Sequence, residues 1–118
     1  IIVCLCGSTR FWRTFQDIGL RETLDGKIVL SIGAARAGDD DDKTFGGYIP
    51  VEKFDAIKEQ LDTLHLRKID LADEVLILNC QDYIGDSTMR ELSYARCHEK
   101  VVRWLQPSRY ALQGEYVS

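Results

Sequence analysis

A single glutamate, Glu91, follows a turn and a run of hydroxyl side chains in the segment YIGDSTMRELSYA, residues 83–95. Thr88 and Glu91 stand three residues apart, which is the spacing of a helix capping box. A glutamate in the first turn would also complement the helix dipole, so one interpretation is structural. A second interpretation places Glu91 at the edge of the helix's apolar stripe, facing a crevice as an ionised carboxylate that acts as a nucleophile. The segment alone leaves both open.

The segment CGSTRF, residues 6–11, is a second candidate for chemistry. Gly7 would let the backbone approach a ligand closely, and the hydroxyls of Ser8 and Thr9 stand where a helix would begin. Free amide groups at a helix start favour an anion, and Arg10 could pair with it. The alternative is a plain turn in which a hydroxyl caps the helix. The segment lacks the Walker pattern GxxxxGK[ST].

Four further side chains are candidates for a site. His65 lies near the apolar stripe of a long helix, so it is either a packed core histidine or a catalytic group. Asp70 comes before a helix-to-strand turn, where it is either an acid–base group or a solvated helix end. Tyr48 and Tyr83 fall in loops, where an aromatic ring could stack on a planar base or pack within the loop.

These segments are separated by alternating strand and helix patterns. Nearly continuous apolar runs predict strands over residues 1–6, 27–33, 74–80 and 101–105. Apolar residues at helical spacing predict helices that begin near Phe11, after Pro50 and near residue 87. The middle helix has a stripe through Leu61, Leu64 and Ile69. The tail, residues 106–118, gives no clear pattern.

The alternation predicts an α/β protein with a Rossmann-like or flavodoxin-like three-layer fold. We expect a four- or five-stranded, mostly parallel sheet in a single domain over residues 1–118. Ligands of such folds bind beyond the carboxyl ends of the strands, and three of the loops emerge there. The loop over residues 33–50 is polar, contains glycine and is long enough to indicate function.

Composition and charge narrow the classes of function. The 118 residues carry a formal net charge of -4 with a pI near 5.1, which argues against a nucleic-acid polymer as partner. No apolar run approaches the roughly 20 residues that span a bilayer, and no signal-peptide pattern is visible, so we expect a cytoplasmic protein without a membrane. Cys4 and Cys6 share one face of a strand, a spacing that does not suit a disulfide, so we expect reduced, buried thiols. Zinc binding is a weaker alternative, because the sequence has no CxxC, and we expect no metal site.

The segments CLCGSTRF, HLRKIDLADEVLILN and YIGDSTMRELSYA followed by KVVRWL resemble the nucleoside 2-deoxyribosyltransferase family and its small phage and bacterial relatives. The neighbouring deoxynucleoside-monophosphate N-glycosidases share this pattern. The resemblance covers about half of the residues in the same order and spacing. Its most specific part is RELSYA preceding KVVRWL.

The resemblance implies a substrate, a reaction and a set of site residues. Glu91 would be the nucleophile that cleaves the N-glycosidic bond of a deoxynucleoside or its 5′-monophosphate. The loop after the first strand would contact the substrate, and the segment before Glu91 would bind the sugar hydroxyl or the 5′-phosphate. The residues implicated in binding are Ser8, Thr9, Arg10, Phe11, Asp86, Ser87 and Thr88.

Two positions depart from the family. The family has an aspartate that serves the base or proton transfer, and the matching position in this sequence is His65. The family also has an aspartate six residues before the nucleophile, and the matching position here is Gly85. The group that protonates the leaving base is therefore open among Asp86, Asp70 and His65. The implied reaction requires no metal or organic cofactor. The resemblance also implies a homo-oligomer, most simply a dimer, and the tail either reaches into the partner's site or packs on its own subunit.

Two other functions are compatible with the same residues. One is a non-catalytic nucleotide-binding module that uses the same crevice, and the other is a different α/β nucleotide enzyme, such as an NAD-cleaving glutamate enzyme. Arg10 together with Ser87 favours a monophosphate over a free nucleoside as the small-molecule ligand.

Overall fold

Five strands and three helices form in residues 1–32 and 53–118, which are the residues that this structure, a computed structural model, describes. The strands are β1 (Ile2–Cys6), β2 (Ile28–Leu30), β3 (Glu74–Ile77), β4 (Val101–Trp104) and β5 (Tyr116–Val117). The helices are α1 (Trp12–Leu24), α2 (Phe54–Leu71) and α3 (Asp86–Cys97). None of the three described helices is long and apolar enough to cross a membrane.

The strands form one parallel sheet in the order β2-β1-β3-β4-β5. This is the strand order of flavodoxin-like doubly wound folds, in which the strand order reverses between β1 and β3. Loops that leave the carboxyl ends of these two strands diverge, and a crevice opens between them. The predicted α/β fold with a parallel sheet is confirmed.

The two faces of the sheet are covered by different helices. Successive residues of β1 point to opposite faces, so Val3 and Leu5 pack in the core layer under α1. Cys4 and Cys6 point the other way and are fully buried in the layer under α2 and α3. The burial predicted for these two thiols is confirmed, and it places both sulfur atoms against the helices that bound the crevice.

The apolar stripe predicted for α2 is wrong in part. Ile69 is fully buried, but Leu61 and Leu64 are 38% and 46% exposed. The helix is longer than the sheet layer beneath it, and its N-terminal half extends past the strand ends. These two leucines therefore contact the crevice rather than the core.

The tail adds a strand that the sequence did not predict. Residues 105–115 contain turns, and β5 then pairs in parallel with β4. Glu115 accepts hydrogen bonds from Arg96 Nε and Nη2 at 2.7 and 2.8 Å and from Trp104 Nε1 at 3.2 Å. Within this chain the tail therefore packs against β4 and α3.

Candidate active site

A cavity of about 320 Å³ lies where β1 and β3 end. It is lined by the loop after β1, by the start of α3 and by one face of α2. The first and third predicted loop segments therefore meet, as expected for the switch point of this fold. The second predicted loop segment, residues 33–50 with Tyr48, lies outside the described residues.

The loop after β1 owes its path to Gly7. A Cβ atom at this position would lie 3.1 Å from Leu78 Cβ and 3.2 Å from Leu78 O, so a side chain would push against the chain leaving β3. Ser8 then caps the following short 3₁₀ helix, because its Oγ accepts a hydrogen bond from Arg10 N at 3.3 Å. The capping interpretation is correct for Ser8, and Gly7, Ser8 and Thr9 all line the cavity.

Glu91 is not a helix cap. Helix α3 begins at Asp86 with Gly85 as its N-cap, and Glu91 lies in the second turn. The Thr88–Glu91 spacing therefore belongs to the interior of the helix, where no free backbone amide is within reach of a capping side chain. The capping-box interpretation is wrong, and Glu91 points into the cavity.

The carboxylate of Glu91 is buried and incompletely paired. Its side chain is buried, and among the residues that the structure describes its Oε1 finds no hydrogen-bond partner. Burial raises the pKa of Glu91 to about 7, although the positive charge of His65 opposes this. The sequence-based expectation of a dipole-stabilised, fully ionised carboxylate is wrong, because the dipole acts on the first turn and burial dominates in the second.

His65 lies between Glu91 and two cysteines. Its Nε2 is 3.8 Å from Glu91 Oε1 and 3.5 Å from the Sγ atoms of both Cys4 and Cys6. Burial disfavours a charge on His65, but the hydrogen bond with Cys4 and the charge of Glu91 outweigh it and raise its pKa. His65 is thus both a packed histidine and a lining residue of the cavity, so neither sequence interpretation excludes the other.

The two thiols differ in acidity. A hydrogen bond from Cys6 and, against the effect of burial, the neighbouring His65 lower the pKa of Cys4 to about 6. Hydrogen bonding to Cys4 and burial raise the pKa of Cys6. A proton on the sulfur of Cys6 therefore supports a negative charge on Cys4.

Two lysines of α2 line the cavity, and neither was predicted from the sequence as a site residue. Lys58 Nζ donates to Ser87 Oγ at 3.0 Å and to Asp62 Oδ2 at 3.2 Å. Lys68 Nζ donates to Ser31 O at 2.6 Å. The available signal was spacing: Lys58, Asp62 and His65 follow each other at i, i+4 and i+7, which places them on one helix face.

Three predicted binding residues form a separate cluster beside the cavity. The guanidinium carbon of Arg10 lies 4.1 Å from the centroid of the Tyr83 ring, and Phe11 meets the same ring edge-on at 6.0 Å. These side chains contact each other, whereas Thr9, Asp86, Ser87 and Thr88 line the cavity. Arg10 is not among the residues that line the cavity, and its guanidinium group stacks on the aromatic ring of Tyr83.

Asp70 lies away from the cavity lining. Its Oδ1 accepts a hydrogen bond from Tyr94 Oη at 2.6 Å, and Lys100 Nζ donates to its carbonyl oxygen at 3.1 Å. Asp70 belongs to the last turn of α2 and faces the amino-terminal side of the sheet, next to the start of β3. The structure therefore brings Asp86 and His65 to the cavity and leaves Asp70 as a structural residue.

The fold and the cavity define a flavodoxin-like α/β protein with a buried carboxylate at the floor of its switch-point crevice. Comparison of the chain with protein-family models, curated proteins and solved structures gives no match.

Proposed function

We propose that the protein cleaves or transfers at the N-glycosidic bond of a deoxynucleoside or its 5′-monophosphate, with Glu91 as the nucleophile. The observation that carries the proposal is the position of Glu91 Oε1, which is buried at the cavity floor and unpaired within the described part of the chain. A carboxylate oxygen with no competing donor is available to a reacting carbon. The resemblance of the surrounding segment to nucleoside 2-deoxyribosyltransferases supports the same assignment.

The reaction proceeds in two steps with retention at the anomeric carbon. Glu91 Oε1 attacks C1′ of the deoxyribosyl group, the C1′–N bond breaks, and its electron pair leaves with the nucleobase. The product of this step is a glycosyl ester on Glu91. Water or a second base then attacks C1′ and releases the carboxylate, and its proton passes to the group that protonated the leaving base, so the acceptor decides between hydrolysis and transfer.

A second group donates a proton to the departing base. Nε2 of His65 is directed towards Glu91 and the two sulfur atoms, so His65 positions the nucleophile. Asp86 lies in the first turn of α3, on the lining of the same cavity. We assign Asp86 as the proton donor and His65 as a positioning residue.

A 5′-phosphate would fit at the start of α3. Helix α3 has Gly85 as its N-cap, and within the described chain no side chain caps its first amide groups, which are therefore open to an anion. Lys58 reaches the same place through its bond to Ser87 Oγ. These groups favour a monophosphate over a free nucleoside. In this proposal Lys58 is the cation that pairs with the phosphate, the role that the sequence predicted for Arg10.

The test is incubation of the protein with a panel of deoxynucleosides and their 5′-monophosphates, with chromatography for the released base. We expect turnover of at least one substrate and a loss of at least about 1,000-fold in Glu91→Gln, because an amide cannot form the ester. Glu59→Gln is the matched control, since Glu59 is an exposed glutamate on α2. Near wild-type turnover by Glu91→Gln would exclude Glu91 as the nucleophile. Nucleotide binding without base release by the wild type would indicate a nucleotide-binding module.

We further propose that the active form is a homodimer. Leu61 and Leu64 expose apolar surface at the edge of the cavity, where a second subunit would cover them. Light scattering at micromolar concentration should give twice the mass of the chain. A monomer with full activity would show that one subunit completes the site.

A further inference from the structure

Four potential metal ligands from three elements lie together at the cavity, two on its lining and two buried behind it. Cys4 and Cys6 come from β1, His65 from α2 and Glu91 from α3. The two Sγ atoms and a ring nitrogen of His65 lie within 4.8 Å of one another, and all three residues are buried. In the described residues Cys4, Cys6 and His65 lie close enough together to surround one ion, and the carboxylate of Glu91 adjoins His65.

The distances between the imidazole nitrogen and the two sulfur atoms match those of a tetrahedral site. Zinc bonds of about 2.3 Å to sulfur and about 2.0 Å to nitrogen place the two ligand atoms about 3.5 Å apart at the tetrahedral angle. The observed separation of His65 Nε2 from each Sγ atom is 3.5 Å. Glu91 Oε1 stands 3.8 Å from the same nitrogen, on the cavity side. Glu91 Oε1 would therefore have to move closer to His65 to complete a tetrahedron with the other three atoms.

We propose that Cys4, Cys6, His65 and Glu91 form a binding site for a single thiophilic divalent cation, represented by Zn²⁺. The set of two sulfur atoms, one imidazole and one carboxylate is typical of zinc and disfavours magnesium and calcium, which prefer oxygen ligands. The independent observation is Glu91: a carboxylate with only 9% of its surface exposed, whose Oε1 has no hydrogen-bond partner among the residues described.

The fold builds this site without a short ligand motif. Residues two apart on a strand point to the same face, so β1 presents both sulfur atoms side by side. His65 and Glu91 approach this face from the two helices that cover it, 59 and 85 residues after Cys6 in the chain. Both line the cavity, which gives an ion a path to the otherwise enclosed sulfur atoms.

One consequence rests on the proposed function. A cation bound here takes the oxygen that would attack C1′, so the metal-loaded protein cannot form the glycosyl ester. Metal binding and base release are therefore mutually exclusive, and zinc acts as an inhibitor that competes with substrate. The binding itself does not depend on the reaction and is measured separately.

The primary experiment is titration of the metal-free, reduced protein with Co²⁺, followed by displacement with Zn²⁺. We expect one ion per chain, intense visible bands of tetrahedral cobalt, and a near-ultraviolet charge-transfer band from two thiolates. Cys4→Ala and His65→Gln should weaken binding by more than about 100-fold, since loss of a ligand exceeds the effect of a supporting group. Cys97→Ala, which removes an exposed thiol outside the cluster, should bind normally.

A measurement on the wild type keeps the test valid if a variant does not fold. Zn²⁺ should protect two thiols per chain from alkylation and raise the melting temperature, and a chelator should reverse both effects. Binding of well under one ion, octahedral spectra, or unchanged binding in Cys4→Ala would overturn the site. Turnover of a nucleotide by a protein that binds no metal would reject the metal site and leave the proposed function intact. Tight metal binding by a protein that turns over no nucleotide would support the metal site and reject the proposed function.

Discussion

At the scale of single residues, the protonation and reactivity of Glu91 depend on the burial of its carboxylate beside the imidazole of His65. Glu91 loses hydration in the second turn of α3 and gains His65 as its nearest charged neighbour. Burial raises the cost of its negative charge, so the pKa of Glu91 rises even with His65 nearby. The same burial makes an ionised Glu91 reactive, because few groups compete for its oxygen.

Lys58 is expected to select for the phosphate. Lys58→Ala should lower kcat/KM for a 5′-monophosphate by about 10-fold and leave the matching nucleoside unchanged, since one charge-assisted contact contributes about 1.5 kcal/mol. Steady-state kinetics on the two substrates measures the difference. Arg10→Ala serves as the control, because Arg10 stacks on Tyr83. An equal loss for both substrates would exclude Lys58 from a phosphate site.

The role of Asp86 can be separated from that of His65 by the leaving group. A deoxyguanosine methylated at N7 releases a base that needs no proton, so it does not require a general acid. Asp86→Asn should lose activity on ordinary substrates and recover it on the methylated one. His65→Asn should stay impaired on both, because it disturbs Glu91. Absence of selective rescue in Asp86→Asn would show that the proton comes from elsewhere.

At the scale of elements, a buried ion cluster joins α1 to the sheet. Arg103 of β4 donates to Glu22 of α1 and to Glu74 of β3, the latter at 2.8 Å. Glu22 also meets Lys27, 3.4 Å away, at the start of the next strand. Burial opposes the charge of Glu22, but Arg103 and Lys27 outweigh it and lower its pKa to about 2.

This cluster should make the fold acid-sensitive. The pKa of Glu22 is about 2 in the folded state against 4.5 normally, so its stabilisation is present above about pH 4.5 and is lost as the pH falls towards 2. Glu22→Gln should lower the free energy of unfolding by about 3 kcal/mol near neutral pH, and by less near pH 3. Urea denaturation at both pH values tests this, with Glu59→Gln as the control. A difference that does not shrink in acid would contradict the assignment.

At the scale of the whole molecule, the tail completes the sheet. Glu115 links the last segment to Arg96 of α3 and to Trp104 of β4, and Trp104 is fully buried. The carboxylate is held by several donors at once, so burial does not prevent its ionisation and its pKa is lowered. The tail thus stabilises the same helix that carries Glu91.

Removal of residues 106–118 should therefore lower stability as well as activity. Truncation after Leu105 deletes β5 and leaves Arg96 and Trp104 without their carboxylate partner. We expect a fall in melting temperature of several degrees, consistent with a loss of a few kcal/mol in a domain of this size. Thermal melts compared with Arg109→Ala, an exposed change in the same segment, measure it. An unchanged melting temperature would show that the tail adds nothing to the fold.

The sequence by itself determined the fold class and the place of the cleft. Continuous apolar runs and helical stripes are local patterns, and they indicated parallel strands, helices on both faces and ligand loops at the strand ends. The segment with Glu91 and the loop with Gly7 were found because their residue types and positions after strands are visible in the chain. Nothing in these patterns needs contacts between distant residues.

The tertiary structure alone decided which candidates meet. It brought His65 to Glu91 and both cysteines, placed Lys58 at Ser87, and moved Arg10 onto Tyr83. The pKa of Glu91 and the approach of His65 to both sulfur atoms follow from packing between α2, α3 and β1, whose contacting residues are separated by tens of positions. Spacing along the chain cannot specify the distances between these side chains, because the distances depend on how two helices pack on one face of the sheet.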